Sequence, residues 1–242
     1  MRYLYILSIL LIISCQPKKT PLTAQQIIDK TIVASGTEKV ANATITYKFR
    51  NRNYKAIRNN GKFELRRSFD SITDILNNDG FLRLINGKKV SGNDSIFSNY
   101  KNSVNSVHYF SVLPFGLNDK AVRKKLLSSS KINNRAYHKI EITFTESGGG
   151  EDYEDVFIYW IAKDNFLIDY LAYSYHTNGG GKRFRVLKEQ CNRNGIRFVD
   201  YHNYKTINSD IKLTKLDKAF EENQLKKVSE IILEDITVDI LE

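Results

Sequence analysis

Ala43-Thr44-Ile45-Thr46-Tyr47-Lys48-Phe49-Arg50 sets apolar Ala43, Ile45, Tyr47 and Phe49 against polar Thr44, Thr46, Lys48 and Arg50. Successive side chains of a strand point to opposite faces, so this period of two predicts a strand with one face buried. The pattern recurs over Tyr54 to Arg58, Lys62 to Phe69, Ser71 to Leu76 and Phe81 to Asn86. The runs are separated by Asn-Asn-Gly at 59–61, Asp70-Ser71, Asn-Asn-Asp-Gly at 77–80 and Asn86-Gly87. Residues of these types accept the positive φ that tight hairpins need, so 43–86 predicts an antiparallel meander.

Before the meander, Thr23 to Ser35 predicts a helix. Thr23 with Gln26 fits a capping box, Ala24, Ile27, Ile28, Thr31 and Ile32 recur at helical spacing, and Gly36 is a natural stop. After it, Ser95 to Val107 reads as a helix, and Val112 to Lys125, holding Leu113-Pro114-Phe115-Gly116-Leu117, as a loop and short helix between two meanders. Tyr137 to Thr145, Asp155 to Ala162, Phe166 to His176, Lys182 to Gln190 and Ile196 to Thr206 form a second set of strands. Two of these, Asp155 to Ala162 and Phe166 to Tyr175, are apolar on both faces, as central covered strands are. Leu216 to Asn223 suits a last helical turn or two, and Val228 to Ile240, alternating at even positions, one closing strand. The expected class is α+β, mainly antiparallel β, in one domain spanning 22–242. No repeat of 20 to 50 residues and no βα alternation occurs, which excludes a solenoid and a βα barrel with an interior Schiff-base lysine.

The chain has 242 residues, 41% of them apolar and 26% charged, which excludes a disordered or collagen-like chain. That length can bury a core without disulfides or metal. At its start Arg2 precedes the apolar run Leu4 to Ile13, which ends at Ser14-Cys15. The run is too short to span a bilayer and has the layout of a secretion signal. Ile12-Ile13-Ser14-Cys15 resembles a bacterial lipobox, which implies export, removal of 1–14 and acylation of the Cys15 thiol. The alternative is a plain secretory signal whose residue 15 is Cys by chance. Residues 15–21, with Pro17, Lys18, Lys19 and Pro21, read as a tether. No acid occurs from Gln16 to Thr20, and since an acidic stretch there marks surface display, the expected location is the outer membrane facing the periplasm. The anchor makes the membrane a partner. Acylation of Cys15 also leaves Cys191 without an intramolecular disulfide partner.

Catalytic and metal constellations are sparse. The four histidines, His108, His138, His176 and His202, are not at ligand spacing, and no CxxC, HExxH or Gly-x-Ser-x-Gly occurs. His176 and His202 can face each other across strands, although a lone histidine more often satisfies a local hydrogen bond. Gly148-Gly149-Gly150 and Gly179-Gly180-Gly181 join strands and suit turns rather than a phosphate cradle. Glu151-Asp152-Tyr153-Glu154-Asp155 reads as a solvated hairpin edge, a cation site being the sharper alternative. The net charge of +10 with 14 Tyr, 13 Phe and one Trp invites a nucleic-acid reading, but the basic residues are spread along the chain and the compartment is wrong for it. No enzyme, cofactor or metal is expected.

The aromatic residues have two readings. Rings can fill the core of a large sheet, or a strongly curved sheet can enclose more apolar surface than its helices cover and leave a groove. In the second reading His108-Tyr109-Phe110 and Phe115 form an insert at the mouth, with Trp160 and Tyr173 in the wall.

Leu22-Thr23-Ala24-Gln25-Gln26-Ile27-Ile28-Asp29-Lys30, Ser103 to Phe110, Leu113 to Asp119 and Tyr170 to Tyr175 resemble a family of uncharacterised lipoproteins from Bacteroidetes-type bacteria. The order of elements is similar to the lipoprotein-carrier (LolA and LolB-like) superfamily, whose curved incomplete barrel wraps helices and holds acyl chains. The resemblance implies a monomeric binder or shuttle of a lipid or other apolar ligand in the concave face of its sheet. A structural or protein-interaction lipoprotein with a filled core is the alternative.

Overall fold

The computed structural model describes residues 20–148, 153–176 and 179–241. The signal segment, Cys15, most of the tether, Gly149-Gly150 and Glu151-Asp152 lie outside the described residues.

Helix α1 (Ala24–Ser35) starts on the expected capping box: the Gln26 N–H donates to Thr23 Oγ1 at 3.2 Å and the Thr23 N–H to Gln26 Oε1 at 3.0 Å. Gly36 ends it at φ 63°. The meander follows as β1 (Ala43–Phe49), β2 (Arg52–Asn59), β3 (Lys62–Phe69), β4 (Ile72–Asn77), β5 (Gly80–Ile85) and the two-residue β6 (Lys88–Lys89). Its turns fall where Asn, Asp and Gly predict them, with Asn60, Gly61, Asp70, Asn86 and Gly87 all at positive φ. Helix α2 (Asp94–Ser111), capped by Asn93, lies across β3 and β4. It runs a turn beyond the expected end, so His108-Tyr109-Phe110 belongs to its last turn.

The second half is β7 (Val122–Ile132), β8 (Arg135–Phe144), β9 (Val156–Ala162), β10 (Ile168–Tyr175), β11 (Gly181–Arg193), β12 (Ile196–Thr206), helix α3 (Leu216–Glu221), β13 (Leu225–Ile231) and β14 (Glu234–Ile240). Every pairing is antiparallel. One sheet has the order β14-β1-β2-β3-β4-β5-β6 and the other β13-β12-β11-β10-β9-β8-β7, and neither closes. The class expected from the alternation, α+β and mainly antiparallel β, is the one observed, and the sheets are unclosed, as the resemblance implies.

Two expectations are corrected. Val112 to Lys125 holds turns and then the start of β7, with no helix. β7 is an edge strand whose residues are mostly outside the core and whose pairing with β8 breaks register between Leu127 and Ser130, so its sequence shows no clean period. Val228 to Ile240 is two strands. β13 pairs with β12 and β14 with β1, and the chain steps between sheets at 232–233, where the Leu233 N–H donates to Asp200 Oδ1 at 2.9 Å. Inward residues sit at odd positions in β13 (Leu225, Ile231) and even ones in β14 (Ile236, Val238), a change of phase without a turn residue to announce it.

The apolar run of β9 is covered on both faces. Phe157, Tyr159 and Ile161 pack with α1 residues Ile27 and Ile28, while Ile158, Trp160 and Ala162 pack with Phe184 and with Leu216 of α3. The larger aliphatic and phenyl side chains of this strand, Phe157, Ile158 and Ile161, each contribute roughly 1.5–3 kcal/mol on burial. Among the described residues, both sheets, α1 to α3 and the core clusters are built from residues 22–240.

Candidate functional site

The inner face of the second sheet is only partly covered. Along α2, Asn99, Asn102, Ser103 and Ser106 fall at helical i, i+3, i+4 and i+7 positions, and these small polar side chains cannot fill the space toward the sheet. What remains is an open cleft of about 1150 Å³, slightly above the roughly 300–1,000 Å³ usual for ligand pockets. Phe157 of β9, Tyr173 of β10, Arg185 of β11 and Tyr201 and Asn203 of β12 form one wall, Phe110 and Val107 of α2 the other, and Phe49 and Phe63 of the first sheet reach one end.

The rings in it touch one another. Phe110 lies 5.3 Å from Tyr173 and 5.9 Å from Phe157, and Phe157 lies 5.6 Å from Tyr173, centroid to centroid. Tyr109 approaches Tyr159 hydroxyl to hydroxyl at 3.5 Å. Burial pushes the Tyr109 phenol up to about 12 and raises Tyr159 and Tyr201 as well, so these hydroxyls stay neutral. Among the described residues, the charged groups at the cleft are Arg50, Arg183, Arg185, Asp119 and Asp155. Arg185 is 8% exposed; its guanidinium carbon sits 4.0 Å over the Phe110 ring and 5.2 Å over Tyr173, and Nη2 donates to Tyr173 Oη at 3.2 Å. Its Nε has no hydrogen-bond partner among the described residues.

Of the residues singled out in the sequence, Tyr109, Phe110 and Tyr173 line the cleft; His108, Phe115 and Trp160 do not. His108 is on the opposite side of α2, with Nε2 3.0 Å from the Arg66 carbonyl oxygen and Nδ1 3.3 Å from Tyr47 Oη. Nε2–H therefore donates to the carbonyl and Nδ1 accepts from the phenol. Burial, aided by the charges of Arg58 and Arg67, lowers its pKa to about 3, so it is a neutral core imidazole. Phe115 packs into the first sheet's core beneath Arg58, 5.3 Å from the guanidinium. Trp160 is on the far face of β9, because Phe157 faces the cleft and three residues along a strand reverses the side. There its Nε1–H donates to Asp217 Oδ2 at 3.2 Å, with Lys139 Nζ 3.1 Å from each carboxylate oxygen of the same Asp217.

His176 and His202 do not face each other. His202 pairs in register with Val186 and reaches Glu230 at 3.2 Å, whereas His176 lies 3.7 Å from Asp155. Among the described residues no group of three His, Cys, Asp or Glu could hold a metal ion, and no helix is long and apolar enough to cross a membrane. Cys191 is a half-buried free thiol on β11. The cleft residues that sequence reading missed are Phe157, Arg185, Tyr201 and Asn203. One signal was available: Arg183 and Arg185 alternate with Phe184 and Val186 and continue to Leu187, which puts both arginines on the face that Leu187 buries.

A family model described as "Family of unknown function (DUF6503)" matches residues 1–235. No curated protein matches the chain. Among solved structures, it is similar to a DUF1329 family protein from Desulfovibrio piger, at 10% identity with 90% of this chain and 93% of that one covered and a TM-score of 0.48. It is also similar to a LolA superfamily protein from Nitrosomonas europaea, at 10% identity, 92% and 94% coverage and a TM-score of 0.46.

Proposed function

Since the chain belongs to DUF6503, a family of unknown function, its role has to be argued from its own residues, and we propose that it is a lipid-anchored envelope protein that binds an apolar tail between α2 and the second sheet. The observation that carries this reading is the 1150 Å³ cleft walled by Phe110, Phe157 and Tyr173, which the small residues of α2 leave open. Apolar surface held out of a core loses about 25 cal/mol per Å² relative to burial, so an apolar occupant gains what the protein leaves unused. In this reading Cys15 carries the acyl anchor, several acyl chains on one residue make it durable, and the absence of acids from Gln16 to Thr20 supports a periplasm-facing outer-membrane location. The role is binding or carriage rather than catalysis.

Titration of residues 20–242 with N-phenyl-1-naphthylamine tests it. Saturable binding of one probe per chain is expected, weakened about tenfold or more by Ser106→Trp, whose indole occupies the cleft. Binding that Ser106→Trp leaves unchanged would place the apolar site elsewhere.

A further inference from the structure

Arg185 places a guanidinium inside a cleft whose lining mixes aromatic rings with polar side chains. Its Nε is unpartnered, and among the described residues it donates to the Tyr173 hydroxyl, lies over two ring faces and near the Tyr159 and Tyr201 phenols, and has no carboxylate hydrogen-bonded to it. Of the other buried arginines, Arg67 and Arg83 share Asp74 and Arg197 donates to Gln190 and the Ile168 carbonyl; Arg58 and Arg197 each keep one unpartnered nitrogen, but neither lines the cleft, as Arg185 does. An uncompensated buried charge is unfavourable by several kcal/mol, and ring faces recover part of that. Its surroundings continue the pattern. Asn203 is its cross-strand partner and has a buried, unpaired side-chain oxygen; its amide nitrogen donates to Ser229 Oγ at 3.1 Å. A serine hydroxyl both donates and accepts, so the amide can present either edge to the cleft. Arg183, two residues along the same strand face, also lines the cleft.

Resting on the reading of the cleft as an apolar-tail site, we infer that its ligand is an acidic amphiphile, whose carboxylate or phosphate head is received by Arg185 with Arg183 and Asn203 beside it, while its tail runs along Phe110 and Phe157. A guanidinium presents parallel N–H donors that match either oxyanion. The arginine then does two things: it orients the tail and it rejects neutral lipids.

The test is displacement of N-phenyl-1-naphthylamine from residues 20–242 by oleate, oleyl alcohol, a monoacylglycerol phosphate and inorganic phosphate. Oleate, the acyl phosphate or both are expected to displace the probe at concentrations about tenfold or more below oleyl alcohol, as a charge-assisted bond to a buried group requires. Whichever acid leads names the head. Inorganic phosphate alone is expected to leave the probe in place. Arg185→Gln is expected to erase the gap between acids and alcohol, and Arg185→Lys to keep part of it. Should Arg185→Gln not fold, the wild-type gap and the lysine variant still decide. Equal displacement by acids and alcohol in the wild type would overturn the head-group assignment and leave the cleft reading standing. Displacement by inorganic phosphate alone would overturn it in favour of a free-anion site. Failure of the probe and all three amphiphiles to bind would overturn both.

Discussion

Gly36 and Gly195 meet so closely that a Cβ on Gly36 would come to 1.8 Å from the Gly195 carbonyl oxygen. Gly36 ends α1 and Gly195 closes the β11–β12 hairpin, whose neighbouring Asn194 donates to the Val238 carbonyl of β14 at 2.6 Å. The contact thus joins α1, the second sheet and the edge of the first. Gly36→Ala adds both a backbone clash and strain at φ 63°, and is expected to lower stability by at least about 2 kcal/mol. Gly195→Ala, whose Cβ would meet the movable end of Lys39, should lower it less. Urea denaturation of both variants checks the order; equal losses would contradict it.

His108 makes stability depend on pH in a stated direction. The unfolded chain takes up this proton near 6.5 and the folded one only near 3. Above 6.5 neither state holds the proton and there is no penalty; as pH falls from 6.5 toward 3, the folded state loses about 1.4 kcal/mol per unit relative to the unfolded. Between pH 7 and pH 5 this amounts to about 2 kcal/mol. Denaturation curves at the two pH values should show that loss, and His108→Gln should flatten it. An unchanged slope in the variant would assign the pH dependence to other groups.

Asp74 holds the α2 side of the cleft in place. Arg67 Nη2 and Arg83 Nε each reach its carboxylate at 2.6 Å, Arg67 Nη1 donates to Ser103 of α2 at 2.6 Å, and Arg83 lies 3.3 Å over the Tyr100 ring of the same helix. Removing one partner of a buried ion group leaves the others uncompensated. Asp74→Ala is therefore expected to destabilise by about 3–5 kcal/mol, whereas replacing Arg67, Asp74 and Arg83 together by Met, Leu and Met should restore much of that. A single variant as stable as the wild type would refute the role of the triad.

Cys15→Ser is expected to abolish metabolic labelling by radioactive palmitate and to release the protein from the membrane fraction. Labelling that persists in the variant would contradict the lipobox reading.

Local signals carried α1 and β1 to β5, because a capping box, a period of two and Asn-Gly turns are written within a few residues of each other. β7 was illegible because an edge strand exposes most of its side chains and shows no face, and the step from β13 to β14 because no turn residue marks 232–233. The rings of the cleft were visible as a set, with Tyr109, Phe110 and Tyr173 in it. Trp160 was assigned to the wall because periodicity tells which residues share a face without telling which face is left open. Arg185 was missed for a related reason: a charged residue reads as solvent-facing until its neighbours on the strand are seen to be buried.

The most direct test of the central claim is native mass spectrometry of the protein isolated from bacterial envelopes, followed by lipid analysis of what it carries. The account predicts one lipid-sized mass per chain, lost or reduced in Ser106→Trp. A bare protein mass, together with refusal of added fatty acids and phospholipids, would contradict it and favour an envelope protein whose cleft serves a protein partner.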